Sequence, residues 1–570
     1  MFASKRVPAV AALLAIVLAL PSAFVGLAGD DYYHRALILG LGDLSGKSPI
    51  LDMFAFLPGG ESNARFLELG LMPWWSDPGI RAAFFRPISA ATHVLDYALW
   101  PDSPLLQHAH SLLWMGLGTY IVARVYRAMP VAPVAAGAAA LMFAVEDAHA
   151  VTAGWIANRN ALLCLVFGGL ALLAHLRSHR DGDRRWLAAG VAGIAVGLLC
   201  GEATLGALAY IAAFQLTMVG GPLLKRLLPL VPYGALVVVW RLAYNYLGYG
   251  ASGSGLYIDP GRQPLDFAGA LVERWPLMVS AQWFQLPSDI WMLAPRGFQV
   301  GMVAFSMASV VGLAAWLWPV LRQRPEARMW ALGMALSVIP LCAAFPMARL
   351  LLFPGIGAFG LLGVLVAHPP AGWRRTVSGI MVIVHGPLSA VMLFAMSFSI
   401  IVFGLAFSTG ARHAPTHPEL ADQSLVFVNN SELIGAYTGI MRSVEPQWGP
   451  PPRRIAQLSA LTTSSTVTRE DDDTLVVVPD GGLLRGSLEQ LFWGTGHRFA
   501  AGEVVASNDF DAEIRAVTDD GRPAVIAYHF REPLESAAYC FVYWTDDGLE
   551  PFPLPAAGEG ITLPVTVPAL

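Results

Sequence analysis

From Val7 to Ala28 the chain carries no charged side chain. A run of that length is about what one helix needs to cross hydrocarbon, where backbone N–H and C=O groups must be satisfied within the segment. Further apolar runs follow, and spans are expected at 8–28, 110–126, 131–146, 160–176, 187–201, 203–219, 227–247, 298–320, 329–345, 350–367 and 376–407. Composition agrees, with 55% hydrophobic and 14% charged residues against about 25% charged in soluble domains. The expected fold class is an all-α polytopic membrane protein of about eleven transmembrane helices with a C-terminal β-rich soluble domain. The first run exceeds the core of a cleavable signal, so it is expected to stay as an anchor.

Basic residues orient the spans. Lys5-Arg6, Arg124 and Arg127, the Arg177 to Arg185 stretch, Lys225-Arg226, Arg322 to Arg328 and Arg374-Arg375 fall in one set of connections. By the positive-inside rule that set and the N-terminus are cytoplasmic. Two long loops, 29–109 and 248–297, then lie outside, with the C-terminal region. Within the second, the stretch Leu265 to Leu293 is interrupted by Glu273-Arg274, Pro276 and Pro287, and reads as an interfacial or re-entrant helix, not a twelfth span. The domain division expected is 1–408 for the membrane part and 409–570 for the β-rich part. Short β-type runs at Leu425 to Val428, Thr474 to Val478, Ala524 to His529, Ala538 to Trp544 and Ile561 to Val567 support the latter.

A net charge of -5 with no basic block gives no sign of a nucleic-acid partner. The four cysteines, Cys164, Cys200, Cys342 and Cys540, have no CxxC spacing, so neither a disulfide framework nor a zinc site is expected.

Chemistry gathers on the outer side. Gly29-Asp30-Asp31-Tyr32-Tyr33-His34 follows the first span directly, and paired carboxylates there belong at the membrane surface. Either could be a general base on an acceptor hydroxyl, or both could simply cap the next helix. A one-residue step turns a helical side chain by about 100 degrees, so only one is expected to face a site. Glu146, Asp147, His149, Trp155 and Arg159 crowd one short outer connection. Arg349 stands at an apolar helix end, suited either to holding a phosphate by charge-assisted hydrogen bonds or to anchoring the span. Glu202 could orient a base or bind a sugar hydroxyl, or merely end a hairpin.

The order of these features resembles the GT-C membrane glycosyltransferases, most nearly the branch of protein O-mannosyltransferases and transmembrane-and-tetratricopeptide O-mannosyltransferases. The matching stretches are Asp30-Asp31-Tyr32-Tyr33, Phe85-Arg86-Pro87-Ile88, His108 and His110, Phe143-Ala144 through His149 to Trp155-Ile156 and Arg159, Glu202, and Arg349 with Leu350 to Pro354. They cover about residues 1–370. The resemblance implies an inverting transferase using a sugar carried on a polyprenyl phosphate, and a protein, lipid or glycan acceptor. By it the base is carried to Asp31 or Asp30. The second acid or acceptor group falls to Glu146, Asp147 and His149, phosphate binding to Arg349, Arg159 and Arg86, and supporting roles to Glu202 and Trp155. No cofactor is required by this chemistry, although magnesium or manganese bridging Asp31 to Glu146 and Asp147 suits hard carboxylates. The chain departs from the pattern where relatives often show His-Pro-x-His-x-Glu, and no tetratricopeptide repeat follows. The expected setting is a bacterial inner membrane, multi-pass, with membrane lipid as surroundings and the C-terminal domain periplasmic. The rival expectation is a transporter or flippase of lipid-linked sugars, which calls for ionisable residues near the bilayer midplane.

Overall fold

The computed structural model describes residues 2–486, 489–494 and 497–566. A helix lies at each expected span. Length and apolarity sufficient for a crossing are met by five stretches among the described residues: Val7–Phe24, Ile156–Asp181, Leu223–Tyr246, Arg296–Gln323 and Trp373–His413. The apolar helices Pro133–Ala144 and Leu352–Ala367 are shorter, so length and apolarity together support five of the eleven expected crossings. The shorter helices are sheathed by their neighbours. Leu352–Ala367 is buried from Leu352 to Leu365. A Cβ on its Gly360 would meet the Trp330 ring at 2.4 Å and one on Gly363 the Ala135 C=O oxygen at 2.4 Å, the close approach that small residues permit between membrane helices.

The expected interrupted helix is Pro264–Phe284, with Pro276 inside it. Glu273 pairs with Arg296 at 2.6 Å and the Ser280 hydroxyl donates to the Ser306 C=O at 3.2 Å. It therefore descends beside Arg296–Gln323 in the same direction, turns at Gln285 with φ 50°, and returns to where that neighbour starts. This path folds back on one side.

The two long loops, 29–109 and 248–297, are joined by a small antiparallel sheet of Ala55–Leu57, Arg81–Ala83 and Gly250–Ser252, with Ala83 opposite Gly250. Arg86 follows that sheet by three residues and so is delivered to a fixed place.

Beyond the last apolar stretch stand two sheets. Six strands, in the order Gly560–Leu563, Ser465–Arg469, Thr474–Pro479, Pro523–Phe530, Phe510–Val517 and Val504–Ala506, are antiparallel. In the four-stranded sheet, Ser424–Asn430 runs parallel to both Tyr539–Thr545 and Arg454–Ala460, and Gly548–Pro551 is antiparallel at the edge. Parallel neighbours need a crossover, which here is the helix Glu432–Val444. This half is β-rich as expected, with the one crossover helix added to its ten described strands. The expected strand Ile561 to Val567 is Gly560–Leu563, and Val567 lies outside the described residues.

The first long loop shares a core with these sheets. Trp74 and Trp75 are buried among Leu458, Val477, Phe499 and Tyr528, with the Trp74 ring 5.8 Å from Tyr528. At Gly70, φ 74°, a Cβ would fall 1.6 Å from the Ile455 C=O oxygen. Only glycine lets the loop lie this close to strand Arg454–Ala460.

Candidate active site

The helix Asp30–Leu39 begins immediately after the first span and places both carboxylates in its first turn, where the partial positive charge of the helix N-terminus favours them. Gly29 starts it with φ 52°, and a Cβ there would lie 3.3 Å from the Phe403 ring. The two acids then part. Asp31 is 2% exposed; one oxygen accepts from the Ala28 N–H at 3.0 Å and the other from the Ala157 N–H at 2.7 Å. It ties the end of the first span to the connection that carries Ala157. Burial pushes its carboxyl up to about 8, opposed by those two donors. Asp30 is partly exposed. Its Oδ1 accepts a short hydrogen bond from the Tyr437 hydroxyl, while Oδ2 receives none from the described residues. Burial also raises the Asp30 carboxyl above the ordinary carboxylate range, against the Tyr437 hydrogen bond and the charges of Arg349 and Arg86, which lower it.

Three arginines differ in commitment. Arg159 is fully buried, paired with Asp96 at 2.5 Å and donating to Ser111 and the Gln107 C=O, each at 2.9 Å. Asp96, itself buried on helix Pro87–Leu99, also meets His110 Nδ1 at 2.6 Å. Arg86 is held by Glu202 at 2.8 Å, and Glu202 takes a second hydrogen bond from the Tyr244 hydroxyl at 2.9 Å. Phe54 and Phe84 flank the Arg86 guanidinium. Arg349 has no carboxylate within ion-pair distance among the described residues. Its hydrogen bonds go to Asn158 Oδ1 at 3.3 Å and, weakly, to Met347 Sδ at 3.2 Å, and its guanidinium lies 5.1 Å above the Trp155 ring. It is the least neutralised of the three.

Glu146, Asp147 and His149 sit elsewhere. Glu146, 2% exposed, accepts from Gln282 at 3.2 Å and Ser389 at 3.4 Å, and lies 3.3 Å from His385 Nδ1. Asp147 accepts from the Ser389 hydroxyl at 2.7 Å and from Gln285 at 2.8 Å. His149 is buried, its ring 4.8 Å from Phe143. His385 Nε2 faces the Trp283 C=O at 3.1 Å; a carbonyl only accepts, so that nitrogen carries a proton. A metal bridging Asp31 to Glu146 and Asp147 does not fit, because these carboxylates turn to different partners. Among the described residues no three His, Cys, Asp or Glu side chains converge as ligands.

Sequence reasoning placed Asp30, Arg349, Arg86 and Trp155 on one outer face, and the structure gathers them. It missed Tyr437, Asp96, Gln282 and His385. The helix bearing Tyr437 had a signal, since Ile434, Tyr437, Met441 and Val444 recur at helical spacing. Nothing in the sequence marked Asp96 as the partner of Arg159.

No family model matches the chain, and no curated protein matches it. Among solved structures it is similar to the Archaeoglobus fulgidus oligosaccharyltransferase tethered with an acceptor peptide, at 12% identity over 80% of this chain and 64% of that one, with a TM-score of 0.38. It is also similar to the oligosaccharyltransferase AglB of the same organism, in complex with an inhibitory peptide and a dolichol-phosphate: 11% identity, 79% and 65% coverage, TM-score 0.37. ArnT from Cupriavidus metallidurans in the apo state gives 16% identity, 70% and 86% coverage and a TM-score of 0.24. The chain thus spans just under two thirds of the archaeal enzymes' length. TM-scores of this size do not establish a shared fold.

Proposed function

We propose that this chain is an integral-membrane glycosyltransferase of the GT-C type, moving a sugar from a polyprenyl phosphate to an acceptor hydroxyl at the outer membrane–water boundary. One observation carries the reading: a carboxylate with a free oxygen and an uncommitted arginine on an aromatic platform share one site at the outer end of apolar helices. Asp30 Oδ2 takes the acceptor's proton as the acceptor oxygen forms its bond to the anomeric carbon. The bond from that carbon to the phosphate oxygen breaks with its electron pair, and the carbon inverts. Arg349 meets the charge left on the polyprenyl phosphate, in a setting where oriented donors cost little reorganisation. Asp31, with both oxygens engaged, holds the frame.

The test is transfer of radiolabelled sugar from a panel of polyprenyl-phosphate sugars in membranes, native chain against Arg349→Ala at matched expression. The reading requires transfer by the native chain from at least one donor and its loss, by about tenfold to a hundredfold for a charged hydrogen-bonding group, in the variant. Equal transfer by both removes Arg349 from the site.

A second reading, a transporter or flippase of lipid-linked sugars, is favoured by the Glu146 and His385 pair. His385 lies twelve residues into the apolar stretch Trp373–His413, about 18 Å along a helix, and at a π-helical turn, Val384–Leu388. Buried ionisable pairs at a broken helix mark transport pathways. Glu146→Gln abolishing donor movement across vesicles that show no sugar transfer would put this reading first.

A further inference from the structure

The helix Glu432–Val444 belongs to the region after the last apolar stretch, yet it reaches the base. We infer that Tyr437 is a positioning residue for Asp30: its hydroxyl holds Oδ1 and thereby turns Oδ2 toward the acceptor. The C-terminal region thus supplies a working part of the transfer site. The inference rests on the transferase reading above.

Three observations carry it. Tyr437 donates to Asp30 across 407 positions of sequence, so the contact exists only because two distant segments are held together. The helix is seated firmly. Gly410 of the neighbouring helix Ser399–His413 leaves room for it, since a Cβ there would meet Ile434 at 2.5 Å and Thr438 at 2.6 Å. The Tyr437 ring packs 5.6 Å from Phe407. Arg442 pins the far end by donating to the C=O groups of Ala411 at 2.9 Å, Pro415 at 2.7 Å, Pro450 at 3.1 Å and Ala414. Finally, a tyrosine hydroxyl beside a carboxylate stays a donor, and burial together with Asp30 keeps the Tyr437 phenol well above its ordinary value. A donor so fixed leaves Asp30 one free oxygen, whereas an unheld carboxylate would rotate.

The groups facing Asp30 are Tyr437 from this helix, Arg349 and Arg86 from the outer connections, and Asp31 and Tyr33 on its own helix. Tyr437 is the one among them that hydrogen-bonds it.

The experiment compares native chain, Asp30→Asn and Tyr437→Phe, full length and in membranes, measuring sugar transfer across acceptor concentration and pH. Tyr437→Phe keeps the ring and its packing. The expected result is a fall in kcat of about tenfold to a hundredfold, the worth of a hydrogen bond to a charged group, with acceptor KM little changed. The acid limb of the pH profile should move upward, because a donor that favoured the ionised carboxylate is gone. If Asp30→Asn abolishes transfer but Tyr437→Phe matches the native chain in kcat and pH profile, the inference is overturned and the transferase reading stands. If the native chain transfers nothing, or Asp30→Asn transfers as well as native, both fall. A monodisperse, natively melting Tyr437→Phe protein with unchanged kcat counts against the inference.

Discussion

The guanidinium of Arg349 lies 5.1 Å above the ring of Trp155, and that indole donates at 3.0 Å to the C=O of Ala28, two residues before Asp30. One side chain therefore sets both the cation proposed to meet the donor phosphate and the start of the helix that carries the proposed base. Trp155→Ala should raise the donor KM about tenfold, in keeping with a partly desolvated cation–π contact. Trp155→Phe, which keeps a ring face, should lose less. Donor titrations of sugar transfer measure both.

Arg159 and Arg349 should fail in opposite ways. Removing Arg159 leaves the buried Asp96 carboxylate without its partner, and breaking a buried pair costs about 3–5 kcal/mol. Arg159→Ala should thus melt well below native in detergent, while Arg349→Ala melts like native and loses transfer. Thermal unfolding of the two purified variants side by side decides it.

Acidity gives a third prediction. The folded Asp31 carboxyl sits near 8, above its unfolded value, because of burial. The folded state then holds a proton that the unfolded state has released, so stability is fullest below the ordinary carboxylate range and declines as pH rises through about 8. The melting temperature should fall between pH 5 and pH 9, and Asp31→Asn should flatten that fall. Transfer runs the other way, since a base whose carboxyl is raised gains ionised form, and rate, as pH rises.

Trp75 is 2% exposed inside the core of the C-terminal sheets, although it belongs to the first outer loop. Trp75→Ala should cost about 3–5 kcal/mol, as for large aromatic truncations. Limited proteolysis would show the loop and sheets opening together. Unchanged protease resistance would mean that the shared core is not what holds them.

The helical part of this fold was readable because apolar runs and basic connections are local signals, visible without knowing any neighbour. The close packing of Leu352–Ala367 was not, since it depends on Trp330 and Ala135, which face its Gly360 and Gly363. At the site, sequence order brought Asp30, Arg86, Trp155 and Arg349 to one face. It could not separate Asp30 from Asp31, because the difference is made by the N–H of Ala157 and the hydroxyl of Tyr437. The Tyr437 helix escaped notice for another reason: its period was helical inside a region read for alternation.

Asp30 as base and Asp31 as frame are told apart by sugar transfer from polyprenyl-phosphate donors in membranes carrying native, Asp30→Asn or Asp31→Asn chains at equal expression. This assignment of roles predicts transfer abolished in Asp30→Asn and kept, within a few fold, in Asp31→Asn protein that remains folded. Transfer kept in Asp30→Asn and abolished in folded Asp31→Asn would contradict it.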